Sequence, residues 1–334
     1  GAIRDCKAFV YDGGGVCSYG QFDMNGGTIR DCLAGSGSAI YHDSSALLTI
    51  NGTIISDNSY GEYPPIFVQT RDEVPVIIGA DADIRTNMYM SSAVLRANGG
   101  VVKGNLHANY SITITVDEGV SHGTIFYGKI TASREYNIDC AAVMYKVNGE
   151  DYATQFLRSG TTALKPDDPA SDGYVFIGWY NGEAAYDFTS PVTEDITLTA
   201  KWAKLVDKTA DFTAEDGGAE AIALLNSAKN GVEDSTWDNG TKTLTLKGVS
   251  MATTATTAVK LRDGAKVILA DGTENHIIGG GATAAQDGTY QNKIYVYGIY
   301  AAGALTVQGE TNGTGTLFVR SGEHINSGDA WTYS

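Results

Sequence analysis

The hexapeptide Gly1-Ala2-Ile3-Arg4-Asp5-Cys6 returns 26 residues on as Gly27-Thr28-Ile29-Arg30-Asp31-Cys32. A degraded copy follows as Gly52-Thr53-Ile54-Ile55-Ser56-Asp57-Asn58. Just upstream, Phe22-Asp23-Met24-Asn25-Gly26 matches Leu48-Thr49-Ile50-Asn51-Gly52. A short fixed period constrains the fold strongly, because each repeat must bury its apolar face against the next copy. Helical patterning is absent, so stacked helix pairs do not fit. The Leu-x-x-Leu-x-Leu signature of leucine-rich repeats is missing too. Phe22/Met24 and Leu48/Ile50 alternate with period two, the signature of short strands. The repeat therefore predicts a right-handed parallel β-helix over 1–139, with about three strands per rung and rungs about 4.8 Å apart. Ile3, Ile29 and Ile54 are expected to stack inside as one ladder. Gly26-Gly27 and Gly13-Gly14-Gly15 would turn the corners, where positive φ is needed. Later strands are read at 74–79, across 82–90 and at 111–116. Ser59–Thr70, with Pro64-Pro65, is expected to leave the stack as a loop.

The passage 1–139 resembles repetitive β-helical surface proteins of gut bacteria.

The middle of the chain has a different pattern. Tyr174-Val175-Phe176-Ile177-Gly178-Trp179 is apolar on both faces. Asn181-Gly182 follows as a hairpin turn, and Ile196–Trp202 alternates again. Together, Asp167-Asp168-Pro169, Gly173–Tyr180, Tyr186-Asp187-Phe188, Pro191-Val192, Asp195–Leu198 and Ala200-Lys201-Trp202 resemble the Listeria–Bacteroides repeat, the B-repeat of internalin-type surface proteins. The resemblance begins near Ala142, with strand 142–147, turn Asn148-Gly149 and strand 151–157. It implies a small β-grasp-like module over 140–203 in a bacterial envelope protein, acting as a spacer without a catalytic site. The expected fold class is thus mostly β: β-helix segments on either side of the repeat.

Past a polar linker, Asp216 is expected to cap a helix over 219–229, with Ile222, Leu225 and Ala228 on one side and Asn230-Gly231 ending it. Asp238-Asn239-Gly240 predicts a hairpin turn into 243–247. Further short strands separated by Gly-rich turns predict a second β-helix within 204–334. The sequence Val267–Thr273, Gly298-Ile299-Tyr300, Leu305-Thr306-Val307 and Gly315-Thr316-Leu317 resembles bacterial β-helical carbohydrate-binding domains.

Net charge is −16, with no Lys/Arg run. Phosphate neutralisation needs a basic patch, so nucleic acid is not an expected partner. The acidity equally disfavours anionic membrane surfaces, and no apolar run is long enough for membrane insertion. Gly1 begins inside a repeat and Ser334 carries no anchor motif, so both ends read as cut. Cys6, Cys17, Cys32 and Cys140 form no CxxC pair and have no His at zinc spacing. Cys6 and Cys32 hold matching repeat positions; a bridge between adjacent rungs fits the required separation, but free thiols are the expectation.

Lyase chemistry on a β-helix needs clustered carboxylates for Ca²⁺ and a basic residue. Asp81, Asp83 and Arg85 share one side of a strand, with Asp81 and Asp83 the metal candidates and Arg85 the basic residue; with Ile84 inward, a solvated outer face is the preferred reading. No motif marks the facing carboxylate pair of a glycosidase. The five histidines are scattered, and Gly279-Gly280-Gly281 lacks the Lys-Ser/Thr of a phosphate loop. In Lys293-Ile294-Tyr295-Val296-Tyr297, alternation sends Tyr295 and Tyr297 to the face opposite Ile294 and Val296. Lys293, Tyr295 and Tyr297 are therefore the candidate carbohydrate-binding residues, with a buried tyrosine ladder as the competing reading.

The expected function is non-catalytic adhesion or binding of a polysaccharide or host surface glycan. No cofactor is expected, save Ca²⁺ bridging to an acidic glycan. A monomeric, secreted or cell-surface bacterial protein is expected. A β-helix lyase or glycosidase is the runner-up, and a purely structural stalk the third reading.

Overall fold

A computed structural model describes residues 1–8, 12–55, 64–69, 74–91, 93–134, 136–280 and 297–321. The protein is mostly β, with one helix among the described residues. It forms two compact units. The first holds 1–168 and 178–200; the second holds 169–177 and 201–334.

In the first unit the chain visits three stacks of parallel strands in turn. One stack runs Ala2–Arg4, Thr28–Arg30, Thr53–Ile55, Asp83–Ile84, Val101–Val102, Ile125–Phe126. The second runs from Val16–Ser18 through Ile40–Asp43, Ile66–Gln69, Met88–Met90 and Leu106–Ala108 to Ile130–Ala132. The third runs from Phe22–Met24 through Leu48–Ile50, Val74–Ile78, Ala93–Ala97 and Ile112–Thr115 to Tyr136–Asp139. In the first stack Ile3 pairs with Ile29 and Ile29 with Ile54, as the repeat implies, and the column continues through Ile84 and Val102 to Phe126. From Ile29 to Phe126 the column is buried. Parallel stacking in register brings apolar side chains over apolar side chains, so one repeated Ile becomes a continuous core.

Three expectations over this stretch need correction. Ile3 does not lie inside: it pairs with Ile29, but no described residue covers its other side and it is exposed. Ile66–Gln69 does not leave the stack; it is a full member, with Ile66, Phe67 and Val68 buried. The apolar run outweighs the prolines, which sit just before the strand, where Pro65 accepts hydrogen bonds from the amides of Ala39 and Ile40. Residues 82–90 do not form one strand either. Asp83–Ile84 joins the first stack and Met88–Met90 the second, with the chain turning between them.

Gly104 and Gly128 show why corners in this unit demand glycine: a Cβ on Gly104 would meet the Thr86 carbonyl, and one on Gly128 the Gly104 carbonyl. Ala141–Val147 and Glu150–Leu157 form an antiparallel hairpin. Its turn residues Asn148 and Gly149 both have positive φ, as a type I′ turn requires. Trp179 is buried edge-on against Tyr145, with ring centres 5.0 Å apart.

The second unit again stacks short parallel strands. Lys204–Val206 of the long strand Ile196–Val206, Ser250–Thr253, Glu274–Ile278 and Thr316–Arg320 form one column. Thr243–Leu246, Ala265–Leu269 and Leu305–Gly309 form another, preceded by the antiparallel strand Thr236–Asp238 at the expected Asn239-Gly240 turn. Helix Ala219–Ser227 turns Leu225 and Ala221 to the core. It is shorter than 219–229 and starts after Gly218 in the left-handed conformation. Asp216 still serves its N-terminus, accepting from the amides of Gly218 and Glu220.

Candidate functional site

Arg85 donates to both oxygens of the Asp83 carboxylate at 2.6–3.1 Å, while Ile84 between them is buried. The pair lies on the solvated outer face, and each charge is taken up by the other. Asp81 is exposed; its backbone amide donates to the Asn51 side chain. Among the described residues no group of three or more His, Cys, Asp and Glu side chains is placed to hold a metal ion. Tyr297 begins strand Tyr297–Ala301 and is 37% exposed, with the Tyr300 ring 5.4 Å away. Lys293 and Tyr295 lie outside the described residues, as do Gly281 and His324. His42 is buried against the Ala46 carbonyl, His107 bonds Thr131, His122 meets the Thr162 carbonyl, and His276 pairs with Glu274. Each is engaged locally, His107 with the Thr131 hydroxyl at 2.8 Å.

A concave feature of the first unit arises from a change in strand direction. Ile125–Phe126 pairs on one side with the parallel stack and on the other, antiparallel, with Glu150–Leu157. Just beyond it the chain turns through Tyr127, Gly128 and Lys129 into Ile130–Ala132. A cleft of about 360 Å³ opens between this turn and the hairpin, lined by residues 126–131 and 151–154. Tyr127 and Tyr152 form its aromatic walls, perpendicular with ring centres 5.6 Å apart. Tyr152 also packs against Trp179 at 5.7 Å.

Both phenols are fixed by one residue. The Asp167 amide donates to the Tyr127 hydroxyl at 2.8 Å, and the Tyr152 hydroxyl donates to the Asp167 carbonyl at 3.1 Å. Tyr127 therefore keeps its proton to donate, and Tyr152 keeps lone pairs to accept. Burial pushes Tyr127 up to about 12, opposed by the Asp167 amide and reinforced by the Asp167 charge. Burial, then Asp167 and Asp168, raise Tyr152 as well. Both remain neutral phenols at physiological pH. Lys103 sits 5.6 Å from the centre of the Tyr127 ring and pairs with Asp167 at 3.3 Å. Of the lining residues Asp151 alone is a carboxylate, and it is 2.7 Å from Lys146. The cleft thus offers two rings, a hydroxyl donor and acceptor, Thr131, Thr154 and the exposed Lys129. It holds no facing carboxylate pair.

A row of rings leads towards it. Tyr41, Phe67, Tyr89 and His107 stand in register on successive strands of the second stack, followed by Thr131 in the cleft wall. Tyr41–Phe67 and Phe67–Tyr89 are parallel stacked at 5.6 and 4.8 Å. Rings stacked on one another hide their faces, and Tyr41 and Phe67 are 6% and 7% exposed. The row stiffens the wall; a sugar needs a free ring face.

The sequence search missed Tyr127 and Tyr152, which stand 25 residues apart in no common motif. The available signal was the outward position of Tyr127 beside the column residue Phe126.

The model of the Listeria-Bacteroides repeat domain matches residues 142–201. Two proteins of Evansella cellulosilytica are similar, at 32% and 31% identity over 93 residues, 26% of this chain. Their names are provisional: a membrane protein and a Gly-rich membrane protein. The matched stretch spans only 14% and 11% of their lengths. The repeat, together with relatives carrying such names, points to an envelope-associated bacterial surface protein.

Proposed function

We propose that the chain is a non-catalytic part of a bacterial surface protein that binds polysaccharide in the cleft between the parallel stack and the repeat hairpin. The observation that carries this reading is the Tyr127–Tyr152 pair, two ring walls whose hydroxyls are held by Asp167 in complementary donor and acceptor states. Neutral phenols beside Thr131 and Lys129 suit sugar hydroxyls, and aromatic walls suit the apolar faces of pyranose rings. Three parallel columns filled in turn are the arrangement of a right-handed parallel β-helix, and we read the first unit as one. We read the second unit likewise, with Tyr297, Tyr300 and the neighbouring Lys293 and Tyr295 as a further carbohydrate contact. The repeat in the middle is read as a β-grasp-like spacer. Secretion, host or matrix glycans as partners, and a monomeric state belong to the same reading.

The test is calorimetric titration of the chain against neutral and acidic polysaccharides, with Ca²⁺ and with chelator. Tyr152→Ala should weaken binding about tenfold, the loss of one well-placed aromatic contact. Lys129→Ala and Thr131→Ala, both at exposed positions, check the cleft without disturbing the core. Unchanged affinity in all three variants would remove the cleft from the reading. Appearance of new reducing ends or unsaturated sugars during incubation would overturn the non-catalytic assignment.

A further inference from the structure

The first two rungs carry one thiol each in the same place. Asp5 and Asp31, the residues just before them, both hold positive φ, at 56° and 54°. Cys6 donates to the Arg4 carbonyl and Cys32 to the Arg30 carbonyl, so the two turns are copies of one another. Register runs through both: Arg4 pairs with Arg30, Lys7 with Leu33, and the Leu33 amide donates to the Cys6 carbonyl at 2.8 Å. Parallel partners in register stand about 4.8 Å apart. A disulfide accepts Cα separations of roughly 4.4 to 6.8 Å. No other pair among the four thiols shares such register. Cys17 pairs across to Tyr41, and Cys140 reaches the Ile114 carbonyl.

We propose that Cys6 and Cys32 are a redox site which closes into a disulfide staple between the first two rungs. The half-buried Cys6 is the entry point and the buried Cys32 the resolving thiol. Burial pushes Cys32 up, a backbone hydrogen bond from Cys6 opposes this, and the Cys6 thiol adds to the rise. Attack on an external disulfide therefore starts at Cys6. The Cys6 thiolate attacks a small disulfide, forming a mixed disulfide and releasing one thiolate. Cys32 loses its proton to solvent and attacks the Cys6 sulfur, releasing the second. Two protein thiols are oxidised and one small disulfide is reduced to two thiols.

The experiment uses the full chain with Cys17→Ser and Cys140→Ser, leaving only the pair. After incubation with oxidised glutathione, non-reducing peptide mapping should find the Cys6 and Cys32 peptides joined within one chain and no free thiol left. Amide exchange over Thr28–Arg30 should slow and recover on adding dithiothreitol. Adding Cys32→Ser should leave glutathione on Cys6. Persistent glutathione on Cys6 while Cys32 is present, crosslinks between chains instead of within one, or unaltered exchange would each overturn the proposal.

Discussion

The two units use the same device to different depth. In the first, the column from Ile29 to Phe126 has a neighbour above and below each residue, and all of it is buried. In the second, Leu244 and Val267 are buried, yet Val307 in the same column is 48% exposed. Phe318 and Val319, on the strand paired to Glu274–Ile278, are also exposed. Ile3 repeats the lesson in the first unit: it pairs with Ile29 but is 37% exposed. Burial here belongs to position within a column more than to residue type. An apolar side chain that the described residues cover on one side only contributes part of its transfer energy.

The largest way to break the comparison is to place a charge in each column. Ile54→Asp leaves an uncompensated charge between buried neighbours and should cost about 3–5 kcal/mol, whereas Val307→Asp should cost under about 1 kcal/mol. Urea denaturation of the two variants checks this; equal losses would show that column depth does not govern burial energy. Next, Gly104→Ala forces a Cβ into the Thr86 carbonyl and should cost about 2–3 kcal/mol. Gly20→Ala, with open space around it, should be neutral by the same measurement.

The second unit contains one fully buried asparagine that serves several backbone groups. Asn275 accepts from the amides of Gly248 and Val249 and donates to the Thr316 carbonyl. Asn275→Ala strands two buried amides and should cost about 2 kcal/mol, with faster amide exchange confined to that unit.

The smallest effect separates the units by pH. In the second unit Asp271 is held low first by the Asn312 amide, Asp216 by the Glu220 amide and Asp238 by the Thr241 amide. A depressed folded value stabilises above the unfolded value of about 3.9 and is lost as pH falls through the folded one. The second unit should therefore loosen first below about pH 4. The first unit carries Asp187 of this kind, but burial pushes Tyr41 and Tyr127 up to about 12. A raised tyrosine stabilises fully below about pH 10, and that share is lost as pH rises towards 12. Amide exchange in acid and tyrosinate absorbance in alkali should report opposite units; the same order at both extremes would contradict the assignment.

What could be read from the sequence was whatever the chain states locally or periodically. Ile3, Ile29 and Ile54 announce a column because they recur beside glycines. Asn148-Gly149 announces its hairpin because both residues take positive φ, whereas past Asn239-Gly240 the positive φ falls on Lys242. Helix 219–227 is legible through Asp216, but its end is not: the expected helix to 229 stops at Ser227, where the Asn230 amide goes on to donate to the Gly248 carbonyl. The strand 66–69 was hidden behind two prolines. The cleft was hidden for a different reason: Tyr127 and Tyr152 meet only because the hairpin docks antiparallel on Ile125–Phe126. No local pattern encodes that docking.

That docking has a consequence for the chain in a crowded milieu. The outer side of a parallel column is a row of unsatisfied amides and carbonyls, open to any passing extended segment, and so a seed for aggregation. Glu150–Leu157 occupies those groups on Ile125–Phe126 with a strand of reversed direction. A further rung in the original sense has nowhere to add at this column. The hairpin thus acts as a terminator, protecting a fold that would otherwise invite indefinite extension there.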